Sequence, residues 1–380
     1  MERHLSHILG QSRLPKESAD AAFSSGTVSG TVGDRAASFI AGNEEFQRLM
    51  ASVSDQEGTS VFAPQIKQLA KGFAYQAFHA AGLAQRVIGR VDHTPILMYH
   101  RILPEKCPSD WPFPGLVVDV NSFAQQMQWL AREFQVCTVS ELLMATGPLD
   151  KPRAAVTFDD GYADNALYAA PILEEAGVRG TFFVTTGFIG GNQRLWFDVA
   201  ARLAPSSDSG SPSGSIQQRM SLWKSMPTAA RRVLLDRLTQ PSDWYAPERD
   251  RAMTVTELCQ LAQSGHEIGV HSRTHPILTK TEPDELTREI AGCISDLRSW
   301  GIEPKGIAYP NGDYSENVVA AVRSCGLRYG LSTALGWYRK TQSLFSIPRI
   351  DVNISRLNGW HKDPVEGLKA ELAWLGFRNP

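Results

Sequence analysis

Short apolar runs alternate with amphipathic stretches from residue 95 to about residue 335, and no other feature of the sequence constrains the fold as strongly. A strand–helix alternation indicates parallel strands joined by helical crossovers, and therefore an α/β fold. Seven strands favour a barrel over a small open sheet, although the count alone does not decide whether the sheet closes. The predicted strands lie at 95–99, 134–139, 154–158, 180–185, 266–270, 306–309 and 328–332.

The segments outside this alternation differ in character. Residues 1–62 are weakly patterned, with a Ser-, Gly-, Ala- and Thr-rich stretch at 19–37, and are expected to be weakly ordered. Residues 63–92 are expected to form a basic amphipathic helix, which either packs on the main domain or touches anionic lipid or a partner. The main domain is expected to span 93–380, with an insertion at about 190–252 that contains a flexible serine-rich linker.

Charge and cysteine usage exclude several classes of protein. The 38 basic and 40 acidic residues give a formal net charge of −2, which argues against nucleic-acid binding because that function leaves a basic footprint. The five cysteines are scattered without a CxxC pair, so neither a disulfide framework nor a thiolate metal site is expected. The N-terminus lacks the apolar core of a secretory signal, and no long apolar stretch occurs, so we expect a cytoplasmic protein without a membrane-spanning helix.

Polar clusters follow four of the predicted strands at the point where each strand ends. They begin at His100, at Asp159, at His271 and at Pro310. Functional groups of parallel α/β folds collect at the carboxyl ends of the strands. If the four strands belong to one sheet, the four clusters lie on one rim and form a single candidate site.

The residues of two clusters suit a metal ion. The adjacent carboxylates of Asp159 and Asp160 repel each other unless their roles differ, as when a metal binds one and the other accepts a proton. His271 and His275 can face one cation, with Ser272 between them as a hydrogen-bonding support. Two neutral imidazoles and one carboxylate leave a divalent ion with positive charge and an open position, which suits hydrolysis. The alternatives are an ordinary Asp-Gly turn and two histidines of the surface or core.

Two further roles have candidates on the same rim. Cleavage of an amide needs an acid that protonates the leaving nitrogen, and histidine titrates in the right range. His100 is the best-placed candidate for that role, the alternative being a buried structural histidine. Pro310-Asn311-Gly312 is primarily a turn signal. At this rim, however, the backbone N–H of Asn311 can face a developing oxyanion, since Pro310 has none.

These clusters resemble the motifs of a known family. From residue 95 to about 355 the chain resembles the polysaccharide deacetylases, a group of carbohydrate esterases. TFDDGY at 157–162, HSRTHP at 271–276 and AYPNGDY at 308–314 are similar to the family's first three motifs. The resemblance implies a distorted (β/α) barrel of seven or eight strands.

The resemblance also implies roles for individual residues. Asp159 is expected to be the general base and Asp160 the metal-binding carboxylate, with the two histidines of the second motif completing a metal triad. The third motif shapes the acetate side of the groove, which assigns Tyr309 and Pro310 to substrate binding. Trp337 is expected either to form a wall of the sugar site or to lie in the core.

The sequence departs from the family's pattern in three places, one of which is a long gap from Asp160 to His271 that the insertion at about 190–252 explains. Ala308 stands where the third motif usually begins with an arginine that steadies the catalytic aspartate, and Arg349 is expected to replace that arginine from another strand. No Leu-x-His motif follows residue 340, whereas ILMYH at 96–100 supplies a Leu–His pair before the first motif. This order resembles the rearranged motifs of biofilm poly-N-acetylglucosamine deacetylases, and it assigns the acid role to His100.

The resemblance implies a metal-dependent N-deacetylase of the amino sugars in a bacterial surface glycan or its precursor. Zinc is the expected ion, and cobalt, nickel or manganese suit the same ligands. The expected partner is an N-acetylated carbohydrate, and no nucleic acid is expected. Two alternatives stay open, namely an O-acetyl esterase or non-sugar amide hydrolase on the same fold, and a non-catalytic carbohydrate-binding protein.

Overall fold

The computed structural model describes residues 93–104, 111–145, 150–203, 215–353, 357 and 363–378. Within these ranges the strands are β1 (His93–Thr94), β2 (Ile96–Tyr99), β3 (Arg101–Leu103), β4 (Val117–Asp119), β5 (Gln135–Val136), β6 (Arg153–Phe158), β7 (Thr181–Val184), β8 (Glu267–Val270), β9 (Gly306–Ala308), β10 (Tyr329–Leu335), β11 (Tyr338–Arg339) and β12 (Ile347–Asp351).

The α-helices of the same ranges lie mostly between these strands. They are α1 (Val120–Glu133), α2 (Val139–Met144), α3 (Ala170–Glu175), α4 (Trp196–Arg202), α5 (Ile216–Ser225), α6 (Thr228–Leu238), α7 (Val255–Gln263), α8 (Pro283–Ser299), α9 (Glu316–Ser324) and α10 (Pro364–Arg378). Several begin at a side chain that accepts a backbone N–H, as Asp119 does for α1 and Thr254 for α7. These caps satisfy N–H groups that the first helical turn leaves without a partner.

Seven parallel strands close into a ring. Around it the order is β2, β12, β10, β9, β8, β7 and β6, and β6 pairs again with β2. That closing pair runs in parallel from Ile96 opposite Ala155 to Tyr99 opposite Phe158. The barrel that the family resemblance implies is therefore confirmed. The short strand β5 pairs with the start of β6 and lies outside the ring.

Side-chain alternation along the strands separates the barrel interior from the layer under the helices. On β6, Ala155 packs with apolar side chains from five other ring strands, whereas Val156 and Phe158 pack with the surrounding helices. Successive strand residues face opposite sides. The same alternation turns Asp159 inward at the carboxyl end of β6, and it turns Arg349 inward on β12, where the two side chains meet.

The seven predicted strands are all present, as β2 and β5–β10. One of the seven, β5, lies outside the ring, although all seven were expected to form the barrel. The seventh strand of the ring is β12 instead. The sequence of β12, IPRID, is not an apolar run, and a proline inside it argues against a strand between two partners. In the structure, β12 nevertheless pairs with β10 on one side and with β2 on the other.

The insertion leaves the barrel after β7 and returns before α7. Within the insertion, α5 and α6 are separated at Pro227, because a proline cannot continue the preceding helix. A second apolar cluster gives the insertion a core that it shares with the loops at the carboxyl end of the barrel, through Trp196, Phe197 and Tyr162.

Several expectations fall outside the described residues. These include the two N-terminal regions, 1–62 and 63–92, together with most of the serine-rich linker. Among the helices that are described, none combines the length and the apolar composition needed to cross a membrane.

The barrel interior predicts the effect of one added methyl group. A Cβ at Gly269 of β8 would lie 2.5 Å from Cε1 of the Phe183 ring. We therefore expect Gly269→Ala to lower the free energy of unfolding by about 1–3 kcal/mol through overpacking. Urea denaturation measures this, with Gln260→Ala on the exposed face of α7 as the control. Equal stability of the two variants would contradict the packing described for the interior.

Candidate active site

The strand ends bring the predicted residues to one rim of the barrel. Asp159 and Asp160 follow β6, and His271 follows β8, with His275 in the loop beyond it. Arg349 lies on β12. All five side chains are buried. Their proximity follows from the parallel ring, since every one of these strands ends at the same side of it.

Arg349 and Asp159 form a bidentate ion pair inside the barrel. Nη1 and Nη2 of Arg349 donate to the two carboxylate oxygens of Asp159 at 2.8 and 2.7 Å. The guanidinium also donates to the Thr157 hydroxyl and to the Ser332 carbonyl oxygen. Burial by itself raises the pKa of Asp159, but the adjacent Arg349 charge outweighs it and the pKa lies below its ordinary value. Asp159 is therefore held as a carboxylate.

Asp160, His271 and His275 form a group that suits a metal ion. One Asp160 oxygen lies 3.4 Å from Nε2 of His271 and 3.3 Å from Nε2 of His275, and the three donor atoms lie within 4.8 Å of one another. The Nδ1 atom of His271 is 2.7 Å from the Ala308 carbonyl oxygen. Since that carbonyl can only accept, Nδ1 carries the proton and the Nε2 lone pair faces the group.

Burial and neighbouring charges shift the pKa of all three candidate ligands. Burial lowers the pKa of His275, which keeps its imidazole neutral. Burial also disfavours charge on His271, but the Asp159 and Asp160 carboxylates raise its pKa. Burial raises the pKa of Asp160, whereas its close contacts with the imidazoles of His271 and His275 hold that pKa well below the ordinary value. One carboxylate and two ring nitrogens match the donor set of a catalytic zinc site with an open position.

Three residues in the two loops that carry the candidate ligands have an unusual backbone conformation. Asp160, Ser272 and His275 have φ angles of 80°, 63° and 60°, in the left-handed region that residues with a side chain rarely adopt. The positive φ of Asp160 lets its side chain turn to the histidines while Asp159 faces Arg349. Within the second loop, the His275 N–H donates to the Ser272 hydroxyl oxygen at 3.0 Å. Ser272 thus supports the ligand loop from inside.

Glu289 of α8 holds the same loop from the helix layer, and sequence reasoning missed it. Its buried carboxylate accepts the backbone N–H groups of Arg273 and Thr274 at 3.0 and 2.8 Å and the Thr274 hydroxyl at 2.6 Å. These bonds tie the two residues that precede His275 to α8. Nothing in the amphipathic pattern of α8 distinguishes Glu289 from its other polar residues.

His100 and Asn311 follow β2 and β9, two strands of the ring that are separated by β12 and β10. His100 follows β2, and its carbonyl accepts a hydrogen bond from the Asn165 side chain at 2.8 Å. The His100 side chain is among the smaller causes that lower the pKa of both aspartates, after burial and the partners already named. Asn311 has a φ of 61°, and its side chain donates to Asp313 at 2.7 Å.

Three residues assigned to substrate contact are buried. Tyr309 stacks on Tyr314, and its hydroxyl donates to the Phe345 carbonyl at 3.0 Å. Pro310 is buried beside it. Trp337 packs in the main core, with 2% of its surface exposed. Their part in substrate binding stays a prediction, and in this conformation none of the three side chains is exposed.

Comparison with known proteins points in the same direction as the geometry. Residues 146–330 match the family model described as polysaccharide deacetylase. YxkH of Bacillus subtilis (strain 168), whose name assigns it provisionally to the polysaccharide deacetylases, is 23% identical over 264 residues, covering 68% of this chain and 71% of YxkH.

Two solved structures show the same fold. The Streptococcus pyogenes deacetylase PplD, in complex with acetate, superposes with a TM-score of 0.52 at 21% identity, over 73% of this chain and 98% of PplD. IcaB from Ammonifex degensii superposes with a TM-score of 0.50 at 18% identity, over 74% of this chain and 97% of IcaB.

The ion pair predicts a large and pH-dependent loss of stability. Arg349→Met leaves the Asp159 carboxylate buried without its partner, and we expect a loss of about 3–5 kcal/mol in the free energy of unfolding. Because the pair lowers the folded-state pKa of Asp159, its contribution is present above the unfolded pKa and is lost as the pH falls through the folded one. The difference from wild type should therefore narrow below about pH 4.

Urea denaturation at pH 7 and at low pH tests both statements. As a control, Arg298→Met removes an exposed partner of Glu303. Its urea denaturation midpoint should equal that of wild type at either pH. A loss for Arg349→Met that is as large in acid as at neutral pH would show that the side chain stabilises the barrel by packing alone.

Proposed function

Since the chain belongs to the polysaccharide deacetylase family of hydrolases, which act on acetylated sugars, we propose that it is a metal-dependent N-deacetylase of amino sugars in a bacterial surface glycan or its precursor. The observation that carries this proposal is that two different groups of side chains lie next to each other at one rim of the barrel. A carboxylate fixed by Arg349 lies beside a carboxylate that faces two imidazoles. A protein that only binds sugar has no use for both.

Asp160, His271 and His275 would hold the metal ion. When bound, a divalent ion at these ligands polarises a carbonyl and lowers the pKa of water. Zinc is the proposed ion because one oxygen and two nitrogen donors are its common catalytic set, and cobalt, nickel or manganese suit the same donors. The 2.7 Å contact of His271 with the Ala308 carbonyl oxygen fixes the tautomer that this role needs.

The side chains around the triad account for the proton transfers of amide hydrolysis. Asp159 accepts a proton from the attacking water, whose oxygen forms a bond with the acetyl carbon. The Asn311 N–H would stabilise the resulting oxyanion. His100 then donates a proton to the amine nitrogen as the carbon–nitrogen bond breaks, which leaves acetate and a free amino sugar. Arg349 keeps Asp159 ionised and oriented before the reaction begins.

Acetate release tests the proposal. We expect release from N-acetylglucosamine oligomers that is abolished by a chelator, restored by zinc or cobalt, and lost in Asp159→Asn, which keeps the side-chain volume but cannot take the proton. Enzymatic assay of free acetate measures it. Release from O-acetylated but not from N-acetylated oligomers would instead identify an esterase, and metal-independent release would contradict the assigned ligands.

The role of His100 predicts a dependence on the leaving group. An amine must be protonated as it leaves, whereas 4-nitrophenolate leaves without a proton. His100→Gln should therefore lower kcat for N-acetylated oligomers by about 10²–10⁴-fold and lower kcat for 4-nitrophenyl acetate far less. The ester acts as an internal control for folding and for the metal ion. Equal losses on the two substrates would exclude His100 as the acid.

A further inference from the structure

Helix α4 of the insertion contacts both loops that carry the candidate metal ligands. Three consecutive side chains at its start make these contacts, and all three are buried. Trp196 and Phe197 reach the loop of His275, and Asp198 reaches the residue that follows the first motif's glycine. The insertion between β7 and β8 is thus fastened to the site at two separate points.

Trp196 holds the backbone of His275. Its indole Nε1–H donates to the His275 carbonyl oxygen at 2.7 Å. On α6, the guanidinium of Arg231 lies 4.0 Å from the centroid of the Trp196 ring. This cation–π contact orients the indole within the insertion. Phe197 lies against the imidazole of His275, with the ring centroids 4.9 Å apart. The ligand is therefore held by its carbonyl group and by its ring.

Asp198 holds the loop of the other ligand. The Tyr162 hydroxyl donates to an Asp198 carboxylate oxygen at 2.5 Å. Tyr162 lies two residues after Asp160, across Gly161, and 1% of its surface is exposed. Asp198 is in turn anchored on α4, where the Arg202 side chain donates to its backbone carbonyl at 2.9 Å. One short helix thus spans from the loop of Asp160 to the loop of His275.

The two ligands whose loops α4 contacts have a strained backbone conformation, which is lost unless neighbouring groups hold it. Asp160 and His275 have positive φ, a conformation that persists only where the surroundings hold it. Metal affinity depends on the mutual distance of the donor atoms, and residues that orient ligands typically contribute about 10–100-fold to it. A helix that links the two loops is therefore placed to set that distance.

We propose that the insertion is a positioning element of the metal centre, in which Trp196 and the Asp198–Tyr162 pair hold His275 and Asp160 at the separation that binds the ion. This inference rests on the metal ligands of the proposed function and does not depend on the identity of the substrate. It gives the insertion a role in the site although it contributes no ligand.

Cobalt titration of the metal-free full-length protein tests this inference. Trp196→Phe removes the indole N–H and keeps an aromatic ring over Arg231, and Tyr162→Phe removes only the hydroxyl. The matched control is Trp223→Phe, because Trp223 is fully buried in the same insertion and its Nε1 has no hydrogen-bond partner among the described residues. Chelator competition gives the Co²⁺ affinity, the visible absorption band reports ligand geometry, and thermal melting without metal shows that each variant is folded.

We expect Trp196→Phe and Tyr162→Phe each to weaken Co²⁺ binding by about 10–100-fold and to change the visible band, with melting close to wild type. Trp223→Phe should bind Co²⁺ as wild type does. Wild-type affinity in both folded variants, or an equal loss in Trp223→Phe, would overturn the inference. Absence of Co²⁺ binding by wild type would instead refute the metal centre of the proposed function, a result distinct from a failure confined to the variants.

Discussion

The buried pair of Arg349 and Asp159 is the interaction on which the geometry of the site depends. Its two parallel hydrogen bonds fix both the distance and the angle between β12 and the end of β6. An unpaired carboxylate in this interior would carry a large desolvation penalty, which the guanidinium and its bonds to Thr157 and Ser332 offset. With Asp159 turned to the arginine, the left-handed backbone of Asp160 directs the second carboxylate to the histidines.

The closed ring explains how His100, which precedes the first motif in the sequence, reaches the same rim as the other site residues. In the ring, β2 lies between β12 and β6, so His100, Arg349 and Asp159 come from three adjacent strands. These strands are far apart in the chain, and β12 follows the first motif by almost 200 residues. A closed barrel has no first or last strand around its circumference, so a side chain placed before the first motif reaches the same rim as one placed after the third.

Sequence reasoning located most strands of the barrel and the polar side chains that meet at its rim. The alternation of apolar runs located the seven strands, and the polar residues after them include Asp160, His271 and His275, which the structure brings together. It placed β5 in the ring in error, because an apolar run does not reveal its neighbours, and it assigned Arg349 to another strand without counting that strand among the seven. It also missed Glu289 and the bond from Trp196, since both side chains act on backbone groups of a distant loop. Backbone partners leave no complementary residue to recognise in the sequence.

The contacts that sequence reasoning missed hold backbone conformations at the site that are strained. In the described part of the chain, the non-glycine residues with positive φ are Asp160, Ser272, His275 and Asn311, and all four lie at the rim. Each such conformation costs about 1–3 kcal/mol and persists only where neighbouring contacts over-determine it. For the histidine loop, those contacts come from Glu289 on one side and from α4 on the other. The helix layer and the insertion therefore hold the conformation of the candidate ligand loops, and the strands determine only where these loops begin.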